Sequence, residues 1–262
     1  MAARAIWKGI LRIGSLDVAV KLYAAVEDRN VHFHVVQDRT RSRVRQRMVR
    51  ESGEEVTREN IRKGYEIEPD TFVVVEDEEL ERMKPPESRD INATRFVPSD
   101  KIGNEWYERP YYLGPDDDDK NYFALVEALH KSDSVGIVRW VMRGKDYVGA
   151  LSAEDDHLLL IKLRYTEEVL PSQDLAPPSG PALDPKELRM AKELVSALGG
   201  KFEPSEFHDD YRERVLHFVK AKAKGKAPTL PIIKERKTGA SLDDQLTKSL
   251  AALRRGREKR VA

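Results

Sequence analysis

The sequence predicts an α+β fold in which an antiparallel β body comes first and helices follow. The first observation is a meander over residues 135–165. Residues 135–142 are rich in β-branched and aromatic side chains, with Val138, Trp140 and Met142 on one face and Val135, Ile137 and Val141 on the other. A strand apolar on both faces is covered on both faces. The Gly-containing turn at 143–146 returns the chain through 147–152. Residues 154–156 turn it again into 157–165, where Leu159, Ile161, Leu163 and Tyr165 are read as inward and Lys162 and Arg164 as outward. The second observation is that strand-like runs start as early as residue 6. The third is an abrupt change after Tyr165 to proline-rich and then helical sequence.

Before the meander, Ile6 to Ile13 and the alternating Leu16, Val18, Val20 and Leu22 form two strands joined at Gly14-Ser15, with Gly9 and Gly14 expected at a bulge or bend. Val31, Phe33 and Val35 alternate with His32 and His34, which predicts a further strand. That His-x-His pair lacks a third ligand at metal spacing, so it is read as a polar face and not a metal site. Thr57 is placed as the cap of a short helix ending near Gly64. Residues 71–75 are a strand, 77–83 an acidic helix stopped by Pro85-Pro86, and 91–97 and 111–113 further strands. Four acids at 116–119 lack the alternating ligands and glycine of a calcium loop and are read as a solvated turn. The helix that follows carries Tyr122, Leu125, Val126 and Leu129 at i, i+3, i+4 and i+7.

Residues 171–185 hold five prolines, a linker composition. Asp184, Pro185 and Glu187 then supply an N-cap, a first-turn proline and a capping-box glutamate. The helix they open presents Leu188, Ala191, Val195 and Leu198, and a second one from Asp209 or Asp210 presents Tyr211, Val215, Phe218 and Val219. An arm of this kind needs a surface to bury against, so a homodimer is expected. The division is a body at 1–170, a linker at 171–183, an arm at 184–225 and a tail at 226–262.

The 262 residues have a formal charge of zero, 40% hydrophobic and 35% charged composition, and no cysteine. This excludes disulfides, thiol nucleophiles and thiolate metal sites. No apolar run resembles a signal peptide or a membrane span, so a cytoplasmic protein is expected. The neutral total conceals an asymmetry: residues 220–262 contain 13 basic and 4 acidic residues, a net +9, which leaves the preceding chain at −9. A basic tail on an acidic body points to a polyanionic partner or to a solvated tail.

The most unusual segment holds Arg39, Arg41, Arg43, Arg45 and Arg47 at period two, which in an extended conformation lines five guanidiniums along one face. A nucleic-acid backbone would neutralise such a row and release counterions. The alternative is a solvated edge strand paired with acids of the body. Arg62 and Lys63 are further candidate contacts. In the tail, Leu242, Leu246, Leu250 and Leu253 form one stripe after a capping box at 241–244, suited to a groove on another protein or to folding back on the body. Arg254, Arg255, Arg257, Lys259 and Arg260 follow as a basic end suited to DNA. A nuclease would need an acidic metal cluster, and Asp155-Asp156-His157 and Asp184 to Lys186 have structural explanations as a turn and a cap. With no phosphate loop, serine elbow or zinc pattern, no catalytic residue is assigned. A binding module is the better reading.

Arg4-Ala-Ile-Trp-Lys-Gly-Ile-Leu11, Asp17-Val-Ala-Val-Lys-Leu-Tyr23, Phe33-His34, Tyr111-Tyr-Leu113 with Pro115-Asp116, Gly136-Ile-Val-Arg-Trp140 and Phe207-His-Asp-Asp-Tyr-Arg-Glu213 together resemble the bacterial Ku family of DNA double-strand-break proteins. The match runs in order over most of residues 4–219. The resemblance implies a Ku-core antiparallel β-barrel with a C-terminal helical arm and a flexible basic tail, forming a homodimeric ring on double-stranded DNA ends. It further implies recruitment of an ATP-dependent ligase of the ligase D type for non-homologous end joining; some relatives carry a Cys-x-x-Cys pair near the position of Arg50 to Gly53, and its absence here argues against a zinc, so no metal and no cofactor are expected. The place of action would be the nucleoid.

Overall fold

The computed structural model describes residues 4–175, 184–225 and 245–252. Two compact units emerge: one combines Met1–Arg29 with His34–Asp174, the other Asn30–Phe33 with Leu175–Ala262. The first unit is built on a closed barrel of seven strands. These are β1 (Trp7–Ile13), β2 (Leu16–Ala24), β5 (Asp90–Pro98), β6 (Tyr107–Pro115), β7 (Ser134–Met142), β8 (Lys145–Glu154) and β9 (His157–Leu163). Their order around the barrel is β1-β2-β6-β9-β8-β7-β5. All neighbours are antiparallel except the closing pair, where β1 lies parallel to β5 with Leu11 opposite Ile91. A parallel pair needs a long connection, and the chain supplies it between residues 13 and 90. That connection holds a separate hairpin of β3 (Lys63–Glu68) and β4 (Thr71–Val75), and then the short helix α1 (Asp77–Met83).

The expected meander forms as β7, β8 and β9. Arg143 and Gly144 make the two-residue turn between Met142 and its partner Lys145, both with positive φ (53° and 70°), as the tight hairpin with right-handed strand twist demands. Gly14 (φ 59°) does the same between β1 and β2. Gly9 is not a bulge; it allows close approach, since an added Cβ would overlap the Trp7 ring and stand 2.6 Å from the Arg89 carbonyl.

The interior is filled by alternate residues of every strand, among them Leu11, Val18, Val20, Leu22, Ile91, Leu113, Val138, Leu151, Leu158 and Leu160, all fully buried. β7 is covered on both faces, as expected. Val138, Trp140 and Met142 enter the main core, whereas Val135 and Ile137 join a second cluster with Ala150, Leu163, Ile102, Trp106 and Tyr107. β9 corrects the expectation. Its core face is Leu158 and Leu160, while Leu159 and Ile161 are half-buried on the other side and Leu163 serves the second cluster. The charges read as outward are tied down: Lys162 Nζ lies 2.6 Å from Glu108, and Arg164 donates to the carbonyls of Glu105 and Tyr107. Pairing between β6 and β8 decides which face turns inward, and both faces of β9 are apolar enough to accept either outcome.

Helix α2 (Asp119–Ser132) buries Tyr122, Leu125, Val126 and Leu129, the four residues its periodicity picks out. It packs chiefly on β8. The Tyr122 hydroxyl donates to the Leu113 carbonyl and accepts the Leu158 N–H at 2.9 Å, and Leu113 and Leu158 are register partners in β6 and β9. The phenol therefore completes the sheet ladder; burial pushes its pKa up, opposed by the Leu158 N–H. Tyr122→Phe leaves two buried backbone groups without that partner, and a loss of about 1–3 kcal/mol is expected from the denaturant midpoint.

The acids at 116–119 are more than a solvated turn. Asp116 is clamped between Lys21 at 2.8 Å and Lys8 at 2.9 Å, joining β6 to β2 and β1. Hydrogen bonds from Lys21 and then Lys8 hold its pKa below the ordinary aspartate value. A depressed folded pKa contributes stability that is present above the unfolded pKa and lost as pH falls through the folded one. Asp116→Asn should therefore show a shallower loss of thermal stability on acidification than the parent protein, read from melting curves across the acid range.

Two further expectations fail between β2 and β5. Residues 25–35 form no strand, and Thr57 caps no α-helix; a single 3-10 turn spans Arg58–Asn60 and β3 begins at Lys63. The apolar alternation at Val31, Phe33 and Val35 has no neighbouring strand to pair with, so periodicity alone does not make a sheet.

In the second unit, α3 (Pro185–Ala197) starts as read, with Asp184 accepting from the Lys186 N–H at 2.7 Å and Glu187 closing the capping box. Its buried side differs from the expected one. Met190, Ala191, Leu194 and Ala197 are half-buried, whereas Leu188, Val195 and Leu198 are exposed, Val195 at 73%. The helix is apolar on two sides, and one chain covers only one of them. α4 (Asp210–Ala223) half-buries Val215 and Phe218 and exposes Tyr211 and Val219. In a last helix, α5 at 245–252, Leu246 and Leu250 are buried.

Candidate nucleic-acid interface

The connection from β2 to β5 leaves the barrel and, over residues 32–50, is exposed at every position. It contributes no side chain to the core. Its shape comes from local hydrogen bonds: Gln37 N–H donates to the Ser42 carbonyl at 2.9 Å, Arg41 N–H to the Gln37 carbonyl at 2.8 Å, and Thr40 Oγ1 to Gln37 Oε1 at 2.7 Å. A bridge between Val36 and Arg43 closes this loop, and one between Val49 and Glu55 closes a second loop turned at Gly53 (φ 84°).

This geometry corrects the reading of the arginine row as one straight face. The chain turns at 38–40, and Arg41 sits in the left-handed region at φ 53°. Arg39 and Arg41 therefore occupy the tip of the first loop, and Arg43, Arg45 and Arg47 follow on its return. The turn was signalled by Thr40 and Ser42, whose short hydroxyl side chains bond to one another and to the Ser42 N–H and compete with an extended strand.

The cations differ in what holds them. Arg47 pairs with Glu55 at 2.6 Å, Arg62 with Glu76 at 2.9 Å and Lys63 with Asp77 at 2.9 Å. The Lys63 ammonium, chiefly by its hydrogen bond, holds the Asp77 carboxyl below its ordinary pKa. All three pairs are solvent-exposed, and such pairs are worth about 0–1 kcal/mol, so phosphates can replace the carboxylates at little cost. Arg39, Arg41, Arg43 and Arg45 have no ion-pair partner among the described residues. Of the seven candidate cations at 39–47 and 62–63, those four are the ones without such a carboxylate.

The same region exposes apolar side chains that the sequence reading did not single out as functional. Phe33, Val35, Val44, Met48 and Val49 are exposed, and in the β3–β4 hairpin so are Tyr65, Ile67, Phe72 and Val74. The sequence predicts β4 as a strand and misses β3, and neither strand fully buries a side chain within one chain. Leu246 and Leu250 of the proposed partner stripe are covered by the chain's own residues. Leu242, Leu253, Arg254, Arg255, Arg257, Lys259 and Arg260 lie outside the described residues. Among the described residues no group of three or more His, Asp and Glu side chains is placed to hold a metal ion, and no helix is long and apolar enough to cross a membrane.

The closed barrel coincides with what comparison with known proteins finds. The Ku70/Ku80 beta-barrel domain matches residues 12–190. The chain belongs to the Ku family. It is 36% identical over 245 residues to the "Non-homologous end joining protein Ku" of Coxiella burnetii, covering 90% of this chain and 88% of that one. A protein of the same name from Anaeromyxobacter sp. is 37% identical over 259 residues, covering 97% and 87% of the two chains. Another from Archaeoglobus fulgidus is 32% identical over 254 residues, covering 96% of this Ku chain and 100% of its own. Proteins of the Ku family are structural and not enzymes, and this chain is one of them.

Proposed function

We propose that this Ku chain forms a homodimeric ring that binds double-stranded DNA ends without sequence specificity and recruits an ATP-dependent DNA ligase of the ligase D type for non-homologous end joining. The observation that carries the reading is the connection over residues 32–50, with no core of its own and four guanidiniums that have no ion-pair partner among the described residues. Guanidiniums that meet phosphates position a duplex and carry no base information. The apolar surfaces left open on α3, α4 and the β3–β4 hairpin supply what a second copy would cover. The barrel at 1–170, linker at 171–183, arm at 184–225 and tail at 226–262 remain the working division. The basic end at 254–260 would add contacts to flanking DNA in the nucleoid, and the stripe of Leu242, Leu246, Leu250 and Leu253 would meet the ligase, which for Leu246 and Leu250 requires release from the chain's own residues that cover them.

The deciding experiment compares linear with covalently closed circular duplex of equal length in a gel shift at matched salt. Retention on the linear form alone, about tenfold or more above the circle, is expected. Equal retention on both would remove the ring, and cleavage on adding Mg²⁺ would return the nuclease reading. Ligase recruitment is measured separately, as acceleration of end joining by an ATP-dependent ligase in the presence of the full chain.

A further inference from the structure

On the outer face of the barrel, Tyr23 of β2 and Tyr112 of β6 are cross-strand partners. They stand beside a groove of about 760 Å³ that His157, Glu154 and Asp155 of the β8–β9 turn close from the other side. The floor is Gly114. An added Cβ there would lie 3.1 Å from the Tyr23 ring, so the glycine is what lets that ring lie across the strand. Tyr112 is 43% exposed and His157 stands edge-on to it, with ring centroids 6.3 Å apart. These rings take no part in the core: in β2, β6 and β9 the inward residues are Leu22, Leu113 and Leu158.

The groove has the chemistry of a cation receptor. Tyrosine faces attract ammonium and guanidinium groups through the ring quadrupole. Glu154 and Asp155 at the rim have no ion-pair partner among the described residues, so their charge is uncompensated within that part of the chain. The same carboxylates repel phosphate. We infer that the Tyr23–Tyr112–His157 groove docks an extended arginine- or lysine-rich segment of another protein, with basic side chains over the tyrosine faces and their charge met by Glu154 and Asp155. The inference is independent of the proposed DNA-end binding.

The test uses the full chain and a fluorescein-labelled octa-arginine peptide carrying a photo-crosslinker, read by anisotropy and by mapping of cross-links. The Glu154→Lys, Asp155→Lys double variant should bind at least about tenfold more weakly. Tyr112→Ala should bind about three- to fivefold more weakly, while Tyr112→Phe stays like the parent. Cross-links should fall on residues 112–115 and 154–157, and affinity for linear duplex should stay within about twofold in every variant. Unchanged peptide affinity in Tyr112→Ala, or cross-links confined to the acidic helix α1, would overturn the groove as the receptor. If truncation after residue 252 tightens peptide binding about tenfold, the chain's own basic end is the occupant and the assignment to a separate partner fails.

Discussion

Replacing Arg39, Arg41, Arg43 and Arg45 together by glutamine is expected to lower the affinity for linear duplex about a hundredfold or more near physiological salt, equally for every sequence tested. The fold should survive, because all four residues are exposed and none has an ion-pair partner among the described residues. The dependence of log affinity on log salt should flatten by about 0.9 for each phosphate that the variant leaves unneutralised, and a dimer doubles the count. The single change Arg47→Gln should act more weakly, since Arg47 already spends part of its charge on Glu55. An unchanged salt slope in the folded quadruple variant would assign these arginines to protection of an exposed segment and take the DNA grip elsewhere.

The second large effect concerns assembly. Val195→Glu with Leu198→Glu places two carboxylates on the side of α3 that a single chain leaves in water, at 73% and 64% exposure. In an isolated chain these changes are close to neutral, because they disturb no buried side chain. At a dimer interface each would be an unpaired buried charge, costing several kcal/mol. Sedimentation at micromolar concentration should then show a folded monomer for the variant and a dimer for the parent, and retention on linear duplex should fall with it. A dimer that persists in this variant would free α3 from the interface and direct attention to the β3–β4 hairpin.

Sequence patterning was informative wherever the controlling interactions are local. The N-cap of α3 is written within four residues, Asp184 to Glu187, and the buried face of α2 within eight, Tyr122 to Leu129. The turns at Gly14 and Gly144 follow from residues that tolerate positive φ. The same logic reached its limit at β9 and α3, which are apolar on more than one side, so their periodicity admits two answers and packing chooses.

By itself, then, the sequence determined the β-first, helix-later order, a three-stranded meander read over 135–165, the absence of thiol chemistry and the concentration of arginines after residue 38. Only the tertiary structure decided that β1 closes the barrel on β5 and that Arg62 and Lys63 are held by Glu76 and Asp77 while Arg39 to Arg45 are not. The physical reason is range. Capping, turn geometry and strand alternation act between residues a few positions apart, where the order of side chains specifies the interaction. Barrel closure joins residues some eighty positions apart, such as Leu11 and Ile91, and its free energy belongs to the whole packed core. Whether a surface cation is spent on a neighbour or left for a phosphate depends on where that closure sets the connecting chain.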